Sequence, residues 1–112
     1  MLLLEWRSFR ALLPLGVDAE TLAAMQAEPG IGPVTALLLP EGGYAPLNPR
    51  EWIERLSPQV VLLSAIAGDR EGLPSPETLK SVEGHTLLRT DRDGWIHLIT
   101  DGEQMWVEVE RR

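Results

Sequence analysis

Two histidines and two carboxylates are the first side chains in this sequence that could do chemistry. His85 and His97 are its only histidines, and each falls in a stretch predicted to be a β-strand. Two separated histidines make too small a set for a metal site, so we interpret both as partly solvated strand residues. Asp18 and Glu41 could form a carboxylate pair for acid–base work. Asp18 is also a suitable helix N-cap, and we expect that role, with Glu41 as a loop charge.

Glycine-rich and charged segments are further candidates for a binding site. Gly42 and Gly43 could cradle a phosphate, but no Gly-Lys-Ser/Thr follows them, which indicates an ordinary turn. Asp69 and Arg70 lie in a polar stretch, 65–74, that is typical of an exposed loop. The chain has no cysteine, which excludes disulfides, thiolate metal sites and cysteine nucleophiles. We expect no cofactor.

The charge of the chain opposes nucleic-acid binding. Its 17 acidic and 10 basic side chains give a net charge of −7, and the basic residues are scattered apart from Arg111 and Arg112. Phosphate binding needs clustered lysine and arginine. The four tryptophans could stack on bases, but in so acidic a chain they are predicted to serve core or interface packing.

Nothing in the sequence predicts a membrane segment. No apolar run reaches the roughly 18 residues that a bilayer requires, and the first residues lack the pattern of a signal peptide. We therefore expect no direct membrane contact. A cytoplasmic location is expected if Met1 is the natural start, and otherwise an extracytoplasmic part of a membrane protein.

The elements that must position these residues alternate along the chain. Its 112 residues, 44% hydrophobic and 24% charged, are typical of a single globular domain, 1–112. The patterns predict the order β-β-α-β-α-β-α-β-β-β, which is an α/β fold with one mixed sheet and helices mainly on one face. The predicted strands are 2–6, 9–13, 34–39, 60–64, 85–89, 94–100 and 104–110, and the predicted helices are 19–27, 49–56 and 76–82.

Caps and turns support these boundaries. Asp18, Asn48 and Ser75 are the predicted N-caps, and prolines stand at the first positions of the last two helices. The last three strands are predicted to form two hairpins, closed by 90–93 and by the dipeptide at 101–102.

Three segments in the second half of the chain carry a family resemblance. They are the strand that ends at Ser64, the loop from Gly68 to Pro74, and the segment Arg89-Thr90-Asp91-Arg92-Asp93-Gly94. Together they resemble the C-terminal half of the metallo-β-lactamase-fold domain of ComEC-type competence proteins, which take part in DNA uptake. Upstream, 37–43 is similar to the strand that ends in Pro-His-His-Gly in that family. The resemblance implies half of an αββα sandwich.

Several positions depart from the family pattern. Glu41 and Gly42 stand where the family has two histidines, Leu73 stands at the histidine of Gly-His-Pro, and Asp18 is out of register with the metal aspartate. Nothing in the 112 residues resembles the N-terminal half of the family domain, with its histidine motif. Because hydrolysis in this superfamily depends on metal, the resemblance implies a degenerate half-domain without metal chemistry. The candidates for a remnant cleft are Asp18, Glu41, Asp69, Arg70 and Leu73.

The Arg89-Thr90-Asp91 motif and Gly94 are expected to be structural, with Thr90 and Asp91 bonding the backbone amides of their own turn. The predicted function is a non-catalytic structural or interaction module. Two alternatives are half of a metal-dependent hydrolase, completed by a partner or an upstream domain, and a single-stranded DNA-binding module.

A lone half of a sandwich would leave an apolar sheet face open, and soluble monomers rarely tolerate one. We therefore expect an isologous homodimer through the exposed sheet face, or packing against an upstream or partner half-domain. The candidate residues for this face are Leu2, Leu4, Trp6, Trp95, Leu98, Met105 and Trp106.

Overall fold

Five strands form the central sheet and lie side by side in the order in which they occur along the chain. The computed structural model describes residues 2–28, 30–65 and 73–110. The strands are β1 (Leu2–Trp6), β2 (Phe9–Leu13), β3 (Ala36–Leu38), β4 (Val60–Leu63) and β5 (Thr86–Arg89). β1 pairs with β2 antiparallel, and the pairs β2–β3, β3–β4 and β4–β5 are all parallel.

Three helices connect the parallel strands and pack on one face of the sheet. They are α1 (Ala19–Ala27), α2 (Arg50–Leu56) and α3 (Pro76–Ser81), and two short 3₁₀ turns, Pro40–Gly43 and Ala45–Leu47, precede α2. Each crossover steps to the next strand in the same direction, and crossovers of one hand that step one way place their helices on one side. The α/β prediction with helices mainly on one face is therefore confirmed. The main core joins Leu22, Met25, Trp52, Ile53 and Leu56 of the helices to Leu12, Leu37, Val61 and Leu63 of the strands.

The helix starts agree only in part with the predicted caps. Asp18 is the N-cap of α1, and its carboxylate accepts from the Thr21 amide at 2.8 Å, as predicted. The prediction for Asn48 was wrong, because Pro49 is the N-cap residue of α2 and the Asn48 side chain is turned into the preceding loop. Ser75 is the N-cap residue of α3, but its hydroxyl accepts from the Ala45 amide rather than from its own helix.

A separate hairpin covers the other face of the sheet. Its strands are β6 (Ile96–Thr100) and β7 (Met105–Val109), which pair antiparallel. Leu98 and Met105 on its inner side pack against a second cluster of buried sheet residues, Ala11, Ala36 and Val60. The hairpin turn is tied to the β1–β2 turn, where the Ser8 amide donates to the Gly102 carbonyl at 2.8 Å. The molecule therefore has three layers: helices, sheet and hairpin.

The predicted single sheet and its first hairpin were wrong. Instead of a hairpin turn, the segment after β5 is a short helical turn, α4 (Thr90–Asp93), and in the described part of the chain β6 pairs only with β7. The Asp93 carboxylate accepts from the Arg89 amide at 2.9 Å, which ends β5 and redirects the chain. The middle of the sheet is consequently covered from both sides, and the predicted open face is confined to its β1 edge.

Candidate functional site

A cavity of about 550 Å³ lies beside the carboxyl ends of β2 and β3 and brings together two of the predicted residues. Asp18 and Glu41 both line it, together with Tyr44 and Leu47. Open α/β sheets bind ligands at this end of their strands, in the crevice where the strand order reverses. The described sheet runs from β1 to β5 without a reversal, so this cavity lacks the crevice that usually makes such a site.

The loop that carries Glu41 has an unusual backbone. Glu41 has φ 50° and ψ 44°, the left-handed region that non-glycine residues rarely adopt, and Gly42 and Gly43 follow with φ 59° and 87°. The buried amide of Asn48 holds the loop by donating to the carbonyls of Pro40 at 3.3 Å and Tyr44 at 2.7 Å. The Glu41 carboxylate is thus presented on a fixed turn.

Thr78 closes the same loop from the side of α3. Its hydroxyl is fully buried and donates to the Gly43 carbonyl at 2.6 Å. Sequence reasoning missed both Asn48 and Thr78 as loop clamps. The only sign of them in the sequence is a polar residue next to apolar ones. That sign does not indicate which backbone carbonyls the side chain will bond.

Asp18 is poorly suited to hold a catalytic proton. The backbone N–H of Thr21 donates to Asp18 and lowers the pKa of that carboxyl below its usual range, so it stays ionised. A catalytic pair needs one member with a raised pKa that can hold a proton near neutral pH. The hydrogen bond to Thr21 gives Asp18 the structural role of a cap, as the sequence predicted.

The positions at which the resemblance would require histidines come together but offer no ligand set. Leu73 lies against Gly42, with its Cδ1 atom 3.5 Å from where a Cβ on that glycine would stand. Within residues 2–28, 30–65 and 73–110, no three histidine, aspartate or glutamate side chains are close enough to share a metal ion. Asp69 and Arg70, the other two candidates for the cleft, lie outside the described residues.

The two histidines lie apart from the cavity. The His85 Nδ1 atom is 3.1 Å from the Pro58 carbonyl. His97 is exposed on the outer side of the hairpin, opposite Glu108 in the strand register and in edge-to-face contact with Trp95. His97 lies in β6 as predicted, but the predicted strand position of His85 was wrong, because His85 lies in a bend just before β5 begins at Thr86.

The Arg89-Thr90-Asp91 motif joins α4 to the end of β4. The Thr90 hydroxyl accepts from the Ala65 amide at 2.8 Å and donates to the Ala65 carbonyl at 2.9 Å. The Arg89 guanidinium donates to both carboxylate oxygens of Asp91, at 3.1 and 2.8 Å. The predicted bonds to the amides of the turn itself were wrong for both side chains, because Thr90 bonds Ala65 and Asp91 bonds the Arg89 guanidinium.

Gly94 completes this structural unit. It has φ 75°, and a Cβ at this position would stand 2.5 Å from Glu110 Oε1. The same glutamate oxygen accepts from the Trp95 amide at 3.1 Å. A glycine is therefore required where the chain passes from α4 into the hairpin.

The Arg89–Asp91 pair predicts loss of stability in acid. The hydrogen bond from Arg89 lowers the pKa of Asp91 below its ordinary value of about 3.9, so its stabilisation is complete above that value and is lost as the pH falls towards the lower folded pKa. Asp91→Asn is expected to cost about 1–2 kcal/mol at pH 7, and progressively less below about pH 4. Urea unfolding at several pH values measures this, with the exposed Glu83→Gln as the control. An equal cost at pH 7 and pH 3 would contradict the assignment.

The strongest surface feature is a set of exposed apolar side chains on the terminal strands. Leu2, Leu4 and Trp6 of β1 are 45%, 47% and 50% exposed, on the same side of the sheet as the hairpin. Trp95, Ile99 and Trp106 are exposed on the outer side of the hairpin. We call these two sets the β1 strip and the hairpin strip. Of the residues predicted for an open face, Leu98 and Met105 are the two that pack inward instead.

Comparison with known proteins adds no assignment. No protein-family model matches the chain, and no curated protein and no solved structure is significantly similar to it. The resemblance to the ComEC-type domain thus stays a prediction. Of the helices in the described part of the chain, none is long and apolar enough to cross a membrane.

Proposed function

We propose that this chain is a non-catalytic interaction module that binds a protein partner through the apolar residues of its terminal strands. The observation that carries this proposal is the exposure of Trp6, Trp95 and Trp106, each about half accessible, on two strips at one side of the molecule. Tryptophan is enriched at the energetic centres of protein interfaces. Large exposed apolar patches of this kind mark interaction sites on soluble proteins.

The arrangement of charges favours a protein partner over nucleic acid. The net charge is −7, and five arginines donate side-chain hydrogen bonds within the described part of the chain, among them Arg50 and Arg92. Arg10 donates to the carbonyls of Pro33 and Gly30, Arg55 to those of Gln26 and Glu28, and Arg89 to Asp91. Phosphate recognition would need such groups to be clustered and available.

The alternative of a hydrolase half-site is tested directly with metal and substrate. The purified chain is incubated with Zn²⁺ or Mn²⁺, desalted and submitted to elemental analysis, and then assayed with bis(p-nitrophenyl) phosphate. We expect no stoichiometric metal and no turnover above buffer. Metal retention or turnover that Glu41→Gln removes and Glu83→Gln preserves would overturn the proposal.

The apolar surface is tested with a hydrophobic dye. Anilinonaphthalene sulfonate gains fluorescence on exposed apolar surface, and we expect a signal that Trp106→Ser reduces. Tyr44→Ser is the matched control, because Tyr44 is 49% exposed but lies at the cavity. A signal that depends on Tyr44 and not on Trp106 would place the apolar binding site in the cavity and contradict the proposal.

A further inference from the structure

β1 forms one edge of the central sheet, and the direction of its backbone groups follows from the neighbouring strand. The Arg10 amide donates to Thr35 Oγ1 at 3.1 Å, and the Arg10 carbonyl accepts from the Thr35 amide at 2.7 Å, so both groups point away from β1. Glu5 is opposite Arg10 in the register. Opposed residues of an antiparallel pair either exchange both hydrogen bonds or neither. Because the Arg10 groups point away from β1, Arg10 and Glu5 exchange no hydrogen bonds, and the N–H and C=O of Glu5 point to the open edge of the sheet. Backbone direction repeats every second residue along a strand, so the N–H and C=O of Leu3 point to the same edge.

This edge lacks the features that usually prevent strands from pairing. Natural edge strands are protected by proline, lysine, a bulge or an inward-pointing charge. β1 has no proline, lysine or bulge, and its pairing with β2 is regular over all five residues. Its one charged side chain, Glu5, lies 3.7 Å from the Arg10 guanidinium, which compensates its charge.

We propose that β1 pairs antiparallel with β1 of a second copy of this chain, about a two-fold axis at Leu4; this inference rests on the proposed function and names its partner. In this register Leu3 and Glu5 of one copy face Glu5 and Leu3 of the other, and their outward N–H and C=O groups form four hydrogen bonds. The β1 strips meet, with Leu2 opposite Trp6 and Leu4 opposite Leu4. The two five-stranded sheets become one continuous sheet.

Charge and side-chain pairing select this register over its neighbours. An axis at Glu5 would oppose two carboxylates, which is destabilising across a strand pair. An axis at Leu3 would leave Trp6 beyond the paired region. The axis at Leu4 also makes Leu4–Leu4 a pair without mutual backbone bonds, in which the side chains are closest.

The net charge of −7 on each copy gives the dimer a characteristic salt dependence. Added salt screens the repulsion between two acidic chains, while backbone bonds and apolar contacts are little affected. Dimerisation is thus expected to strengthen as salt rises, whereas an interface built on ion pairs would weaken.

A disulfide tests the register, because the chain has no cysteine of its own. Across the axis the two Leu4 Cα atoms would be about 4.5 Å apart, within the range of about 4.4–6.8 Å that a disulfide spans. Leu4→Cys is expected to give covalent dimers under mild oxidation. Leu2→Cys is the matched control on the same strand, since its two copies would be roughly 13 Å apart and should not link.

Sedimentation equilibrium at increasing protein and salt concentrations tests the association itself. We expect a dimer whose dissociation constant rises at least tenfold in Leu4→Lys, which places two lysines at the axis, and is unchanged in Leu15→Lys. Leu4 and Leu15 are both exposed, at 47% and 59%, so circular dichroism should show both variants folded.

Three results would overturn the proposed pairing. They are a chain that stays monomeric at about 100 μM, a dissociation constant that Leu4→Lys does not change, and equal yields of disulfide-linked dimer from Leu4→Cys and Leu2→Cys. A dimer broken by Trp106→Lys instead would move the interface to the hairpin strip and leave the proposed function intact. Failure of the proposed function has a different signature, namely metal retention or turnover in the assays above.

Discussion

Gly43→Ala is expected to destabilise the protein by about 2–4 kcal/mol, because two independent penalties coincide there. Gly43 has φ 87°, where an L side chain is strained. An added Cβ would stand 2.7 Å from the Pro74 Cβ and 3.2 Å from the Pro74 Cα, and a proline ring cannot rotate away. Urea unfolding followed by circular dichroism measures the change.

Gly84→Ala separates the two penalties. Gly84 has nearly the same φ, 90°, but nothing lies within 4 Å of its added Cβ. Gly84→Ala should lower the free energy of unfolding only by the cost of placing an alanine at a positive φ, about 1 kcal/mol. If the two variants lose the same stability, the packing of the glycine loop against Pro74 is not as described.

Leu56→Ala is expected to cost about 2–5 kcal/mol. Leu56 ends α2, is fully buried and belongs to the main core on the helix side of the sheet. Truncation removes its transfer free energy and leaves a cavity that the surrounding strands can fill only in part. The free energy of unfolding of a domain of this size is about 5–15 kcal/mol in total. The Leu56→Ala variant should therefore be close to unfolding at 37 °C.

Leu15→Ala is the matched control for this core truncation. Leu15 is 59% exposed, and a substitution at such a site should change stability by less than about 0.5 kcal/mol. The midpoint of urea denaturation should fall in Leu56→Ala with little change in slope. Comparable losses in the two leucine variants would contradict the described core.

Local signals predicted the central elements well. The strands around Leu37 and Val61 lie within the predicted apolar runs, although β3 covers only 36–38 of the predicted 34–39. The bounds of α1 agree with the prediction, because Asp18 immediately before the helix is its N-cap. The parallel order also follows from alternation, because a helix between two strands favours parallel neighbours. These properties depend on residues near one another in the chain.

The placement of the hairpin could not be predicted in the same way. The alternation in 96–100 and 105–109 gives a hairpin, but not the surface that it covers. That choice depends on small residues far away, Ala11 and Ala36, which leave room on the sheet for Leu98 and Met105. The segment 90–93 was misread as a turn because its contacts with Ala65 are 25 residues distant.

The candidate site was predicted in part. Asp18 and Glu41 were chosen by residue type, and they do line one cavity. The loop clamps Asn48 and Thr78 were missed, since a buried polar side chain is recognised only once its partner carbonyls are located. Trp6 was among the residues predicted for an open face, and it is 50% exposed.

The three-layer order also has a consequence for biosynthesis. A ribosome releases the chain from its amino end, so β1 to β5 and their helices can assemble before the hairpin emerges. Until then the second apolar cluster, around Ala36 and Val60, faces water. Nascent chains stalled before residue 96 should therefore expose this apolar cluster and bind chaperones. Emergence of residues 96–109 from the ribosome should end that binding.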